Sequence, residues 1–258
     1  MRGLITAIRT LTILRLPGRD ADNFADALPW FPVVGALIGF LVTLLAWGVG
    51  WQLHWVLGAG ALCVALSTLL TGGLHLDGLA DAFDSFGGHT REKKLEIMKD
   101  PRIGSFGVMA LCIAMLIKFT ALVLLSGMPD PKWIILPFVL SRTAQVALIA
   151  ALPYARSEGG TGKRFVEGAD INHATIAALI GIGASALISP FYGLLLAAVG
   201  CLVVLLLWVW MRRAFGGITG DLIGMGSEIV EVSLFVVLAM CNAGHFEIIK
   251  TILWKTHS

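Results

Sequence analysis

Seven long apolar runs dominate the chain, at about 33–51, 54–72, 104–127, 132–152, 174–189, 190–211 and 229–249. About 20 mostly apolar residues cross a bilayer as a helix, so each run predicts a transmembrane helix. Only Gln52 and His54 part the first two runs. The fifth and sixth form one stretch that Ser189-Pro190 breaks, because proline lacks an amide donor and clashes with the preceding turn. The count is seven, with six and eight compatible with the same pattern. The first 16 residues, MRGLITAIRTLTILRL, are different: Arg2, Arg9 and Arg15 interrupt the apolar positions and no small-residue cleavage site follows. That pattern predicts a helix lying on the membrane surface rather than a signal peptide. No repeat, low-complexity tract or appended polar domain breaks the series. The expected fold is one all-α, polytopic transmembrane bundle over residues 1–258 with an N-terminal interfacial helix.

The cations between the runs test this topology. Arg2, Arg9, Arg15 and Arg19 precede the first run. Arg91, Lys93, Lys94, Lys99 and Arg102 follow the second, Arg156, Lys163 and Arg164 the fourth, and Arg212 and Arg213 the sixth. With strict alternation these fourteen share one side, against Lys132, Lys250 and Lys255 on the other; Lys118 and Arg142 fall inside runs. Cytoplasmic loops collect Lys and Arg, so the N-terminus and all four basic segments are expected in the cytoplasm and the C-terminus outside. An even number of spans would spoil the alternation.

Composition narrows the class. Charged residues make up 14% of the 258 positions, hydrophobic ones 57%, and the mean hydropathy is +0.85. A soluble domain carries about 25% charged residues, so there are too few here to cover a water-soluble surface. A soluble enzyme, a secreted disulfide scaffold and a nucleic-acid-binding domain are thereby excluded. A net charge of +2 is too small to mark a polyanionic partner. Cys63, Cys112, Cys201 and Cys241 stand singly in apolar runs, without the spacing of a disulfide or zinc site, and read as small hydrophobes.

The longest polar stretch, about 73–103, carries the chemistry. In HLDGLADAFDS, Asp77, Asp81 and Asp84 fall at i, i+4 and i+7, which share one face of a helix. Three carboxylates with no intervening base repel one another, and a divalent cation is the usual compensation. Oxygen ligands alone suit Mg²⁺, commonly held by a few carboxylates plus substrate phosphates. The competing reading is a solvated acidic helix face, which the apolar Leu76, Leu79, Ala80, Ala82 and Phe83 disfavour. His75 reads equally as a partner of the site or as an interfacial cap.

A second acidic segment, GGITGDLIGMGSE, places Asp221 and Glu228 seven residues apart. Its glycines allow backbone amides to approach a phosphate, or allow close helix packing; the two readings stand level. Glu231 lies one turn deeper, as a further partner or a buried acid. Among the cations, Arg102 and Ser105 stand where the third run begins, and a helix N-terminus beside an Arg suits a phosphate; a membrane-anchoring Arg competes. The loop PYARSEGGTGKR holds Arg156 and Lys163 but is no Walker A motif, since Ser157 and Arg164 occupy its first Gly and its Ser/Thr positions. Arg142, inside the fourth run, must face the protein interior, with Glu231 or Asp84 as candidate partners. Lys118 reads as structural.

Together, LHLDGLADAFDSFGG, KDPRIGSFG, PYARSEGGTG and GGITGDLIGMGSE, with RLP at Arg15–Pro17 and PWFPVVGALIG, resemble the cobalamin synthase family, also named adenosylcobinamide-GDP ribazoletransferase. The resemblance covers most of the chain, with four motifs in order. It implies a transferase of the bacterial cytoplasmic membrane, acting late in vitamin B12 assembly from the cytoplasmic face. It would join adenosylcobinamide-GDP to α-ribazole or its 5′-phosphate with release of GMP and a requirement for Mg²⁺. On this basis Asp77, Asp81, Asp84, Asp221 and Glu228 fall to metal, diphosphate and catalysis. Arg102, Ser105, Arg142, Arg156 and Lys163 fall to the substrate anions. The lipid bilayer and other late-pathway enzymes are the implied surroundings, and the oligomeric state stays open.

Three alternatives share parts of this pattern. A CDP-alcohol phosphotransferase needs AR after its first DG, whereas Ala80 is followed by Asp81. A UbiA-like prenyltransferase has Asn-Asp where this chain has Leu76-Asp77. An ion-coupled transporter would place its acids near the membrane midplane, whereas most here cluster towards one end.

Overall fold

The computed structural model describes residues 1–157 and 159–243, and among them the chain is helical, without strands. The first helix, α1 (Arg2–Leu11), buries Gly3, Thr6, Ala7, Ile8 and Leu11 on one face. It is followed by α2 (Phe31–Leu45), entered through a 3₁₀ segment, Phe24–Trp30, and prolonged by a π-helical turn, Ala46–Gln52. The rod thus runs from Phe24 to Gln52, beginning before the predicted 33. Asp26 and Pro29 hid that first segment from the hydropathy pattern.

The second predicted run is divided. Val56–Thr71 forms α3, and the chain then turns by 89° into α4 (Leu74–Asp84). Gly72 and Gly73 make the turn with φ of +61° and +70°, which a residue without Cβ adopts at no steric cost. At 1.5 Å per residue α3 is about 24 Å long, and α4 lies across its end rather than continuing it. The helices α5 (Arg91–Ile97) and α6 (Ser105–Ser126) follow, then α7 (Ile135–Ala151) and the short α8 (Lys163–Val166). The last three are α9 (Ile171–Ile188), α10 (Pro190–Phe215) and α11 (Gly220–Asn242). Ser189 breaks α9 from α10 as the sequence predicted, with extended backbone (φ −155°, ψ 109°) and Pro190 opening α10. The final helix starts at Gly220, not near 229, because Asp221, Glu228 and the glycines lower the hydropathy of turns that are nevertheless helical. Residues 244–249 of the last predicted span, and the expected outer C-terminus, lie outside the described residues.

Among the described residues six helical rods are long and apolar enough to cross a membrane, and α3 with the bent α4 makes a seventh candidate. In the most apolar windows of α7 and α9, 78% and 17% of residues are buried, which sets α7 at the centre and α9 at the periphery. The outer faces of α9 and α10 expose Leu179, Leu187, Leu194, Leu202, Leu205 and Leu206, as a lipid-facing helix does. Of the four cysteines, Cys63 is buried and the other three lie on outer faces, all as free thiols.

One end of the bundle gathers the polar connections. The Ala155 amide donates to Ile218 O and the Ile218 amide to Pro153 O, both at 2.9 Å, tying the loop after α7 to the entry of α11. Arg91 donates to Phe215 O at the end of α10 (2.6 Å) and to Ala155 O (3.1 Å). The N-termini of α6 and α11, the ends of α7 and α10, and α4 and α5 therefore meet at this end.

Candidate active site

The site forms where α4 crosses the first turn of α11. A Cβ on Gly78 would stand 2.5 Å from the Asp221 carbonyl oxygen, and one on Gly224 would stand 3.2 Å from the His75 Cα. Two missing side chains thus let the helices touch backbone to backbone. Thr219 caps α11 by accepting from the Leu222 amide, which fixes Asp221 in the first turn. Asp77, on the facing side of α4, borders the same cavity of about 130 Å³ as Asp221. Asp77 also borders a wider groove of about 730 Å³ reached past Thr68 and Thr71.

Asp77 is exposed and Asp81 half-buried. The hydrogen bonds and ion pairs of the described residues include no partner for either carboxylate. Asp221 is paired with Arg156 at 2.7 Å, and Arg156 is the cation of this cluster. Burial first, then the charges of Asp77, Asp221 and Asp84, push the Asp81 carboxyl up to about 7, with Arg156 opposing. Burial and neighbouring carboxylates each disfavour the charged form of an acid. No three His, Cys, Asp or Glu side chains among the described residues form a ready-made metal shell. Mg²⁺ is usually bound through one or two carboxylates completed by substrate phosphates and water. Two carboxylates lacking donors, beside a third at a helix start, fit such an ion.

The remaining residues singled out in the sequence divide between this end and the interior. Asp84 shares the acidic face, but its carboxylate accepts from the Gly104 amide (2.6 Å) and the Gly107 amide (2.8 Å), capping α6. Arg102 is exposed and forked onto Asp100. Ser105 opens α6 with its side chain exposed. Lys163 lies beside the cavity-lining Thr161 and Gly162 and pairs with Glu167 at 3.5 Å.

Glu228 and Arg142 are not brought to the Asp cluster. They sit in a sealed charge group in which Lys118 meets Glu228 (2.8 Å) and Glu231 (2.7 Å), and Arg142 meets Glu231 (2.8 Å). Arg142 also donates to the Ser141 and Ser227 hydroxyls. Two cations face two anions with side chains no more than 6% exposed. Of the two partners considered for Arg142, the structure selects Glu231. The seven-residue spacing of Asp221 and Glu228 shares a face of α11 but separates the two by two turns, about 10 Å. That length carries Glu228 from the end of the bundle into its core.

Two polar groups went unrecognised in the sequence. Arg91 looked like one more cation of a basic segment, and nothing in the sequence signals that it ties α10 to the Arg156 loop. Gln145, three residues after Arg142 in an apolar run, was visible as a polar residue on the same face. It is 1% exposed, its Oε1 has no partner, and the same holds for both ring nitrogens of the buried His75. Both residues line the cavity that Asp77 and Asp221 border.

Comparison with known proteins bears on what this arrangement serves. The chain is 45% identical over 253 residues to the adenosylcobinamide-GDP ribazoletransferase of Chlorobaculum tepidum, covering 95% of this chain and 98% of the relative. The enzymes of that name from Chlorobaculum parvum and Chlorobium phaeobacteroides are 44% and 43% identical. The first match covers 96% and 99% of the two chains, the second 94% and 100%. No solved structure matches the chain. Residues 3–239 match the family model described as cobalamin-5-phosphate synthase, and the chain belongs to that family.

Proposed function

We propose that this chain transfers the adenosylcobinamide phosphate group from adenosylcobinamide-GDP to α-ribazole or α-ribazole 5′-phosphate, releasing GMP, as an Mg²⁺-dependent enzyme. The observation that carries this reading is the pair of unpartnered carboxylates, Asp77 and Asp81, facing Asp221 and its partner Arg156 at one end of the bundle. Asp77 and Asp221 would hold the metal, leaving its other positions to the substrate diphosphate. When bound, Mg²⁺ neutralises phosphate charge and stabilises the departing GMP. Arg156, already poised at 2.7 Å from Asp221, exchanges part of that contact for a phosphate oxygen. Asp81, without a donor of its own beside Asp77 and Asp221, takes the proton of the attacking ribose hydroxyl as the general base. The acceptor oxygen attacks the phosphorus that carries cobinamide, and the bond to the GMP oxygen breaks.

The transporter alternative loses its support, because the acids deep in the bundle are neutralised by Lys118 and Arg142. The CDP-alcohol and UbiA-like alternatives are not favoured by the family match. The fourteen-to-three bias of cations supports a site facing the cytoplasm from the bacterial cytoplasmic membrane.

The test is GMP release from membranes containing the chain, supplied with adenosylcobinamide-GDP, α-ribazole phosphate and Mg²⁺. The expected result is release that EDTA abolishes and that falls at least a hundredfold in Asp77→Asn and Asp221→Asn. Release no greater than from vector-control membranes overturns the assignment. Full Mg²⁺-dependent activity in both variants overturns the metal site.

A further inference from the structure

The cavity of about 130 Å³ behind Asp77 has a polar lining that the transfer chemistry leaves unused. His75 is 2% and Gln145 1% exposed, yet neither His75 ring nitrogen nor Gln145 Oε1 has a hydrogen-bond partner. A buried polar group left unpaired costs about 1–3 kcal/mol, and the two residues that carry three such atoms both line this one small cavity. Phe31, Phe165 and Ile149 supply apolar walls. Apolar walls with a few convergent polar groups are the ordinary form of a small-molecule site.

Size limits the occupant. A cavity of about 150 Å³ takes up a benzene-sized ring, so this one admits one ring edge of a flat aromatic group and is too small for a corrinoid macrocycle or a dinucleotide. Charge limits it further, since no Lys or Arg among the described residues lines the cavity and Asp77 and Asp221 do. A phosphate is disfavoured inside. The groove of about 730 Å³ that Asp77 also borders is the larger space open to the donor's diphosphate end.

We infer that this cavity is the acceptor-base subsite: the planar heteroaromatic base of the ribazole nucleoside enters against Phe31 and Phe165, His75 reads its ring nitrogen, and Gln145 holds the attached ribose. The inference rests on the ribazoletransferase reading and names the residues that recognise one of its substrates. A glycosylated benzimidazole keeps one free ring nitrogen, an acceptor, which an N–H of neutral His75 can satisfy. Gln145 Oε1 accepts from a ribose hydroxyl. The base then enters first and leaves its ribose at the cavity mouth, where Asp77 and Asp221 stand. With Asp77 on the boundary of both spaces, the attacking hydroxyl and the scissile diphosphate meet there.

The experiment measures binding of α-ribazole to the purified, detergent-solubilised protein without donor or Mg²⁺, alongside GMP-release kinetics. The variants are Gln145→Leu, which keeps the side-chain volume, and Ile149→Phe, which fills the cavity. Wild-type size-exclusion and melting profiles confirm folding. The expected result is binding weakened at least tenfold in both variants, KM for the acceptor raised to match, and KM for adenosylcobinamide-GDP changed less than twofold. Wild-type turnover with unchanged ribazole binding in both variants, or a rise in donor KM alone, overturns the subsite and leaves the transferase reading standing. Ribazole binding that both variants weaken, in a wild type that releases no GMP, supports the subsite and overturns the transferase reading. A wild type that neither binds ribazole nor releases GMP overturns both. If one variant fails to fold, the other decides the question.

Discussion

Removing the Lys118 ammonium is the sharpest perturbation the structure offers. In Lys118→Met a chain of similar length replaces a cation held 2.8 Å from Glu228 and 2.7 Å from Glu231. The four-charge group then carries two anions and one cation, with Glu228 5% exposed and its ion partner gone. Arg142 reaches Glu231 but makes no contact with Glu228. Breaking a buried pair by removing one partner costs about 3–5 kcal/mol, because it strands a charge. Each kcal/mol moves the melting temperature of a domain this size by roughly 2–4 °C, so a loss of about 6–20 °C is expected. Adding Glu228→Gln removes the stranded charge and leaves the Arg142–Glu231 pair neutral, so Lys118→Met/Glu228→Gln recovers most of the loss. The assay is the melting temperature in detergent of wild type, both single variants and the double variant, read as a cycle. Additive losses, with the double variant at least as unstable as the sum of the singles, would refute the reasoning. The same double variant separates stability from chemistry. Because Glu228 pairs with Lys118 away from the Asp cluster, the stable double variant is expected to keep its Mg²⁺ dependence. A folded double variant that has lost it would return Glu228 to the metal site.

Two further outcomes follow from the Asp cluster. With the Asp81 carboxyl pushed up to about 7, the group is protonated below that pH and cannot accept a proton. GMP release at saturating Mg²⁺ is therefore expected to fall as pH drops through 7, with the limb displaced downward by a bound cation. Asp81→Asn is expected to lose about 10²–10⁴ in rate and to flatten the profile; an unchanged acid limb in that variant would remove Asp81 as the base. Gly78→Ala places a methyl group 2.5 Å from the Asp221 carbonyl and must push α4 off α11. Activity is expected to fall at least tenfold with normal membrane levels, while Gly87→Ala, which has open space around the new Cβ, retains it. Equal activity in the two variants would show that the crossing does not set the site.

The parts of this architecture legible in the sequence are those set by hydropathy. Continuous apolar runs located α6, α7, α9 and α10 closely, because lipid leaves a helix no alternative for its backbone groups. The pattern failed where polar residues are helical, at Phe24–Trp30 and in the first turns of α11. It also failed at Gly72-Gly73, where an apolar run hides an 89° turn. The acidic periodicity located the face of α4 carrying Asp77 and Asp81 because i and i+4 sit together whatever the tertiary context. Periodicity carries no depth, so Glu228 read as a site acid although two turns place it beside Lys118. The pairing of Lys118 with α11 is a tertiary fact about residues 110 positions apart. Likewise, the unpaired state of His75 and Gln145 exists only once α1, α2, α4, α7, α8 and α11 close around their cavity.

The site acids stand on two helices, α4 and α11, which α6 ties into a closed circuit. Asp84 of α4 caps α6 through the Gly104 and Gly107 amides. Lys118 of α6 grips α11 through Glu228 and Glu231. The circuit closes where α11 meets α4 backbone to backbone at Gly78 and Gly224. Each contact alone leaves a hinge, whereas three in a ring determine the spacing of Asp77, Asp81 and Asp221 without any bond between those carboxylates. Carboxylates that repel one another cannot set their own distance, and a reacting group held even 1 Å out of place is costly. On this argument Asp84, by capping α6, serves the chemistry by holding α4 in place, and its loss should spread the acidic cluster before it unfolds the bundle.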